Sequence, residues 1–518
     1  MCAIYLFGAL GKSLAERLVT WVGSASFVLA WAFVAGAEGI AQLWSRLFEI
    51  ETGGSMSVAS KTLIVSDLHL GNGSGYDIYA GGDALPALLR TFAAAGHTVI
   101  FNGDSVDFLM NEDPLELDEA RAIHQAEQLF AEPSTAAVLK ALGEVLAAGG
   151  NVVIRLGNHD IELALGGVQA RLRAALGQPT EVAARLRFER GDKPAILTVG
   201  GARILVTHGE QNDVWNKVDY LHLPGPDSAV GTAAQDFTYA PGSRLVKTIM
   251  NPLKRVHGLR LIDLIKPDFQ GGVLTALAIS PGAVKEAFKG STVEILWQLR
   301  AQGSGPNTFE EGGEDLGLQA AIDAAGLDED ERATMAALLG PAGSGAQVFD
   351  LDVSFLQSAQ LKLARAGLRL YAGAQRRMVG DEGQRFYELT PDDAEWNEAK
   401  RLAKKYDAGA VIFGHSHAAR WQQQEGVAYL NTGTWIKLLR LPAASASDEE
   451  WSGFLSLARK NPQLDPKKGV MVPSFTRFNA ATLEADAEQG GARLSLVEWK
   501  DGVLHVERSG HIPALGSR

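Results

Sequence analysis

Leu63-Ile64-Val65-Ser66-Asp67-Leu68-His69-Leu70-Gly71 is the stretch on which the reading of this chain turns. A run of apolar and β-branched residues stops abruptly at Asp-x-His. The pattern predicts a buried parallel strand that delivers two metal-ligating side chains at its C-terminal end. Residues two apart on a strand share a face, so Asp67 and His69 can reach one ion as the strand ends. Asp after a strand is common, and the pair alone says little.

The chain makes the same move four more times. Val99-Ile100-Phe101-Asn102-Gly103-Asp104-Ser105-Val106-Asp107 is a second apolar run ending in Asp, and Val152-Val153-Ile154-Arg155-Leu156-Gly157-Asn158-His159-Asp160 is a third. Ile204-Leu205-Val206-Thr207-His208-Gly209 and Val411-Ile412-Phe413-Gly414-His415-Ser416-His417 are the fourth and fifth. The strand end usually has a glycine beside it, which lets the backbone turn sharply and approach a bound group closely. A satisfied strand end with a polar turn explains any one of these. It does not explain why all five end in Asp, Asn or His.

Taken in order, the five stretches resemble the signature of the calcineurin-like metallophosphoesterases. That signature is Asp-x-His, Gly-Asp-x-x-Asp, Gly-Asn-His-Asp, a single His, then Gly-His-x-His. The resemblance covers about residues 60–215 and 405–435, and neither the middle of the chain nor its first fifty-odd residues. It implies an α/β (α+β) fold, a two-sheet β-sandwich flanked by helices with metals at one edge. It also implies a site for two divalent ions, with Asp104 as the bridge. Asp67, His69 and His417 would complete one ion, and Asn158, His208 and His415 the other. Oxygen and imidazole donors without thiolate suit Mn²⁺, with Fe and Zn²⁺ as alternatives. Such a pair acidifies water, and a bridging hydroxide attacks phosphorus in line. By the same resemblance His159 is the acid at the leaving oxygen and Asp160 orients it, while Asp107 supports the site without taking part.

The residues beside the ligands narrow the substrate. Ser/Thr protein phosphatases of this superfamily carry Gly-Asp-x-Val-Asp-Arg-Gly and Gly-Asn-His-Glu; here Asp107 precedes Phe108-Leu109, and Asp160 comes after His159. The chain looks most like the branch related to UDP-2,3-diacylglucosamine pyrophosphatase, through Ser66–Gly71, Asn102-Gly103-Asp104, Thr207-His208-Gly209 and Tyr429–Trp435. The lipid A enzyme departs from it in typically having Arg at the place of His159, in being much shorter and in lacking so large an insertion. The expected reaction is hydrolysis of a phosphodiester or pyrophosphate bond in a small-molecule substrate, nucleotide- or lipid-linked. Two alternatives stay open, a DNA exonuclease-like phosphodiesterase and a non-catalytic binding scaffold on the same fold. The formal net charge of −13 gives nucleic acid no support.

With 518 residues the chain is too long for one compact core. Cys2 is the only cysteine, which excludes an internal disulfide and fits a cytoplasmic setting. Residues 1–55 read as an apolar segment and linker, 56–212 and 401–518 as the core, and 213–400 as a mostly helical cap insertion. Within the first segment, residues 18–37 carry no charge and are long enough to span a bilayer. They fit a membrane anchor, a signal peptide, or an upstream extension of a start at Met56. The anchor would bring the protein to a membrane surface. In the insertion, Arg244 to Lys266 interleaves cations with apolar residues, and Lys254, Arg255 and Arg260 are candidates to hold an anionic substrate. The plainer reading is a helix pair with solvated charged faces. His97, His124 and His505 read as structural, and His222 and His257 as within reach of a substrate. Helices are expected over 84–95, 117–130 and 135–148. Hairpins are expected at Ala195–Val206, on Gly200-Gly201, and at Leu494–Glu507.

Overall fold

The computed structural model describes residues 55–57, 61–213, 215–227, 237–258, 388–439 and 447–516, with Arg260, Leu264 and Pro442. The chain divides into two units, Met1–Met56 and Ser57–Arg518. The uncharged run 18–37, with its three readings, lies outside the described residues, as does most of the insertion 213–400. Among the described residues no helix is long and apolar enough to cross a membrane.

The second unit is built on two sheets. The first begins with four parallel strands, Lys61–Val65 (β1), Thr98–Asn102 (β2), Asn151–Arg155 (β3) and Leu186–Glu189 (β4). Thr62 to Val65 are wholly buried. Both faces of β1 are covered, which is why the sequence shows a continuous apolar run instead of alternation. Helices Ala84–Thr91 (α1), Glu119–Ala131 (α2), Pro133–Ala147 (α3) and Gly166–Ala175 (α4) run between these strands. Leu85, Leu88, Val138 and Leu142 share one core with Leu63, Val65, Val99 and Phe101. Proline in the first turn and the Glu132 carboxylate, which accepts the Thr135 N–H at 2.9 Å, start α3. The first of these helices stops short of the expected 95, because the chain turns at Gly96 with φ +77°.

The second sheet carries the hairpin Ala195–Val199 (β5) and Ala202–Val206 (β6). Gly200 and Gly201, at φ +55° and +84°, supply the two left-handed residues that a tight hairpin needs. A helical run comes next, Pro241–Leu245 (α5) and Asn251–His257 (α6), joined through a wider turn at Val246–Met250. Helix Asp393–Tyr406 (α7) then leads into Ala410–Phe413 (β7), Ala419–Gln424 (β8) and Val427–Thr432 (β9). The order is β5-β6-β7-β9-β8, with β6 and β9 both parallel to β7. Trp396, Ala399 and Leu402 of α7 pack with Ile196, Leu205, Val411 and Tyr429, so this helix crosses residue 400 and belongs to the core layer from its first turn.

A short ribbon, Leu438–Leu439 (β10) with Ser474–Phe475 (β11), brackets helix Asp448–Lys460 (α8). The chain then returns to the first sheet as Asn479–Ala485 (β12), Ala492–Lys500 (β13) and Val503–Ile512 (β14). The finished sheet has seven strands in the order β14-β13-β12-β1-β2-β3-β4. The outcome is a mixed α/β fold of two main sheets flanked by helices, as a metallophosphoesterase fold requires.

Register decides where the site falls. Val65 lies opposite Phe101, and Phe101 opposite Ile154, so β1, β2 and β3 end level with one another. In the second sheet Val206 lies opposite Ile412 and Asn431 opposite Phe413. The loops that leave these parallel strands therefore start side by side, at the strand ends where α/β folds place their ligands.

Candidate metal centre

The loops are laced together by their backbones. The Asp104 carbonyl accepts the N–H groups of both Leu68 (2.9 Å) and His69 (3.0 Å), and the Asp67 carbonyl accepts the Trp435 N–H at 3.1 Å. Across the sheets, Ser66 and Thr432 hydroxyls meet at 2.6 Å, and Thr434 Oγ1 donates to the Asp67 carbonyl at 2.8 Å. This lacing holds an unusual conformation. Asp67, His69, Asp104, His415 and His417 all have φ between +50° and +68°. Each such non-glycine residue costs on the order of 1–3 kcal/mol, and strain of this kind gathers where side chains must be aimed. Glycines leave room for them. A Cβ on Gly157 would sit 2.2 Å from Asp104 Oδ1 and 2.9 Å from His208 Nε2.

Among the described residues three groups of candidate ligands result, each with its donor atoms within 4.8 Å of one another. One is His69, Asp107 and His159; the two that share Asp104 are, first, Asp67, His69, Asp104 and His417 and, second, Asp104, His208 and His415. Those two meet at a single oxygen. Asp104 Oδ2 lies 3.3 Å from His208 Nε2 and 3.9 Å from His69 Nε2, while Asp104 Oδ1 accepts the His159 N–H at 2.9 Å. Asp67 Oδ1 lies 3.3 Å from His417 Nε2, and Nε2 of His69 lies 3.2 Å from that same nitrogen. Asn158 is buried beside the second group, its amide nitrogen donating to Asn216 Oδ1 at 3.4 Å. Six of the seven residues named from the resemblance fall in the two groups that share Asp104, and Asn158 adjoins them through Asn216.

Divalent metal binding fits these residues on three grounds. Asn158 Oδ1 is buried and accepts no hydrogen bond. His208 Nδ1 lies 2.8 Å from the Asn102 carbonyl and donates to it, which leaves its lone pair on Nε2, the nitrogen facing Asp104. The third ground is charge. Burial pushes Asp67 up, but the hydrogen bond and charge of His417 and the charge of His208 outweigh it, holding Asp67 down at about 2. Burial likewise opposes ionisation of Asp104, and the imidazolium charges, His208 first, hold it well below the usual range. On His208 burial favours the neutral ring, yet the Asp104 charge and hydrogen bond raise it to about 10. The buried Asp104 carboxylate thus holds a proton on His208, and a divalent ion meets the same demand for positive charge.

His159 and its partner depart from expectation. The carboxylate that bonds the His159 ring is Asp107, with Oδ2 3.0 Å from Nδ1, and the same oxygen lies 2.9 Å from His69 Nδ1. Burial pushes Asp107 up, but the charges and hydrogen bonds of His159 and His69 hold it well below the carboxylate range. Asp160, expected to orient His159, turns the other way. Its Oδ1 accepts the Gly157 N–H, and its Oδ2 accepts the Ser105 N–H and hydroxyl, all at 2.7 Å. It ties the third loop to the second, and with burial and the nearby Asp104 charge against ionisation it is raised to about 6.

The cationic candidates of the insertion act as fasteners. Lys254 is 4 % exposed; its Nζ lies 3.0 Å from Met110 Sδ and 5.4 Å from the Tyr76 ring centre. Arg255 pairs with Glu112 at 3.3 Å on the surface, and Arg260 donates to the Asp77 carbonyl. Asn251 adds bonds to the carbonyls of Leu109 (2.7 Å) and Asn111 (2.9 Å). The run α5–α6 is therefore pinned onto the loops after β1 and β2, and a buried Lys254 is not placed to receive a substrate anion. The remaining histidines lie elsewhere: the His97 ring lies tilted beside Phe92, His124 bonds Gln128 on α2, His222 bonds Asp219, His505 is exposed on β14, His511 lies near Asp486, and His257 ends α6.

Sequence reasoning missed Asp213 and Asn216. Asp213 Oδ2 lies 3.0 Å from His415 Nε2 and accepts Asn216 Nδ2–H at 2.7 Å. The only signal was their place five and eight residues after His208, within the segment assigned to the cap.

The fold and this donor set point to a class of protein, and one comparison supports it. The family model described as calcineurin-like phosphoesterase matches residues 60–251, which holds the first four of the five ligand stretches. This supports the superfamily and a metal-dependent phosphoesterase. No curated protein matches the chain. Among solved structures it is similar to a phosphopantetheinyl hydrolase from Mycobacterium tuberculosis, at 12% identity over 72% of this chain and 89% of that one, with a TM-score of 0.21. So distant a likeness says nothing of substrate.

Proposed function

We propose that this chain is a two-ion hydrolase of phosphodiester or pyrophosphate bonds. The observation that carries the reading is Asp104 Oδ2, one carboxylate oxygen facing both ligand groups. Asp67, His69 and His417 hold the first ion, Asn158, His208 and His415 the second, and Asp104 both. When bound, the ions supply a nucleophile at neutral pH and charge for the phosphoryl oxygens. The chain supplies the rest. His159 is the most exposed imidazole of the cluster, its side chain at 15 %, and Asp107 holds its ring in place. It donates the proton to the leaving oxygen. Phe108 and Leu109 are buried where the protein-phosphatase pattern places Arg-Gly, which supports a small-molecule diester or diphosphate over a phosphoprotein.

The test is hydrolysis of bis-p-nitrophenyl phosphate and of a nucleoside diphosphate ester by purified protein with added Mn²⁺. Both should be cleaved, and Asp104→Ala should lower either rate by at least about 10³-fold, because both ion sites lose a ligand. An Asp104→Ala protein as active as the parent would remove this reading.

A further inference from the structure

The turn that opens the insertion reaches both outer ligands of the second group. Asp213 Oδ1 accepts the Trp215 N–H at 2.9 Å, and Asp213 Oδ2 takes Asn216 Nδ2–H at 2.7 Å and lies 3.0 Å from His415 Nε2. Asp213 Oδ2 is a carboxylate oxygen and the acceptor in its bond with the Asn216 amide. Asn216 must therefore present its NH₂ to Asp213, which turns its oxygen toward Asn158. Asn158 must then donate its own NH₂ to that oxygen, 3.4 Å away, and aim its Oδ1 elsewhere. That Oδ1 is the buried oxygen without a hydrogen bond. On the other side, Nε2–H of His415 donates to Asp213, which leaves the lone pair on Nδ1.

We propose that Asp213 and Asn216 are positioning residues for the second ion: one carboxylate sets the His415 ring and, through the Asn216 amide, turns the Asn158 oxygen toward the metal. The insertion holds this turn in place. The Gly242 N–H of α5 donates to the Trp215 carbonyl at 2.7 Å, and a Cβ on Gly242 would sit 2.1 Å from Asn216 Oδ1. The cap and the second ion site are thus joined through four residues, none of which need touch substrate. The inference rests on the two-ion reading above.

Calorimetric titration of the chelated full-length chain with Mn²⁺ separates the two. The parent should bind two ions per chain. Asn216→Ala should keep the first ion at parental affinity and weaken the second about 10–100-fold. Asp213→Asn, nearly isosteric, offers one acceptor oxygen to three donors at two positions and should do the same without disturbing the turn. The metal-free unfolding temperature of both variants should stay at the parental value. Two ions bound by each variant with parental affinity would overturn this inference and leave the hydrolase reading standing, and so would equal weakening of both ions. A parent that binds no Mn²⁺ would overturn both.

Discussion

Asp107 and His159 divide their labour through one atom. Asp107 Oδ2 meets the Nδ1 of both His69 and His159, so a single carboxylate oxygen orients a candidate metal ligand and the proton donor proposed above together. Removing the imidazole and removing the carboxylate should therefore differ. His159→Ala should leave metal binding intact and lower the hydrolysis rate by about 10²–10⁴-fold, the penalty shrinking for a leaving group as acidic as nitrophenol. Asp107→Asn should reduce the rate and also weaken the first ion by about 10–100-fold, because His69 loses its orienting partner. Rates on esters of graded leaving-group acidity, read beside Mn²⁺ titrations, check both. An equal loss on good and poor leaving groups would make His159 a structural residue.

The short helical turn Ile161–Ala164 comes directly after the third ligand loop and carries a buried acid. Glu162 is 4 % exposed and accepts the Tyr239 hydroxyl at 2.9 Å, which fixes the turn to the segment leading into α5. Burial raises Glu162 to about 7, with the Asp160 charge acting the same way and its hydrogen bonds opposing. The folded state thus keeps a proton that the unfolded chain has already lost. Stability from this group is greatest below the unfolded value of 4.5 and falls as pH rises toward about 7. The loss is on the order of 3 kcal/mol, from roughly 2.5 pH units at 1.36 kcal/mol each. Glu162→Gln cannot ionise and should escape it. Urea unfolding at pH 5 and pH 8 should show the parent losing stability relative to this variant; parallel curves would mean that Glu162 is ionised in the fold.

Both ion sites draw on both sheets. Asp67, His69, Asp104 and Asn158 leave the first sheet, and His208, His415 and His417 leave the second. Bound ions therefore fasten one sheet to the other as Trp435 does, stacked on Phe478 with its indole N–H donated to the Asn479 carbonyl at 2.9 Å. An ion at 100 times its dissociation constant adds about 2.7 kcal/mol to stability. Chelation should lower the unfolding temperature and Mn²⁺ should restore it. Asp104→Ala should abolish that response, which scanning calorimetry with and without chelator reads directly. The same scale changes the reading of the insertion. Its basic stretch is spent in part on pinning α5–α6 to the core through Lys254 and Arg260.

Local chemistry made much of this legible in the sequence. Apolar runs stopping at Asp, Asn or His beside glycine mark strand ends, and paired glycines mark a hairpin, because each depends on residues close in sequence. That these residues cluster was also legible, though only through a resemblance that joins five separated stretches. Three things waited for the tertiary structure. Strand β12 hides behind its alanines at 480, 481 and 485, poor strand formers, of which 480 and 481 are buried next to β1 by packing alone. The partner of His159 could not be read from order along the chain, since Asp160 is adjacent and Asp107 lies 52 residues away. Nor could Asp213 and Asn216 be told from the cap that begins with them. A hydrogen bond needs two groups within about 3 Å, and only the folding of both sheets around one edge decides which groups those are.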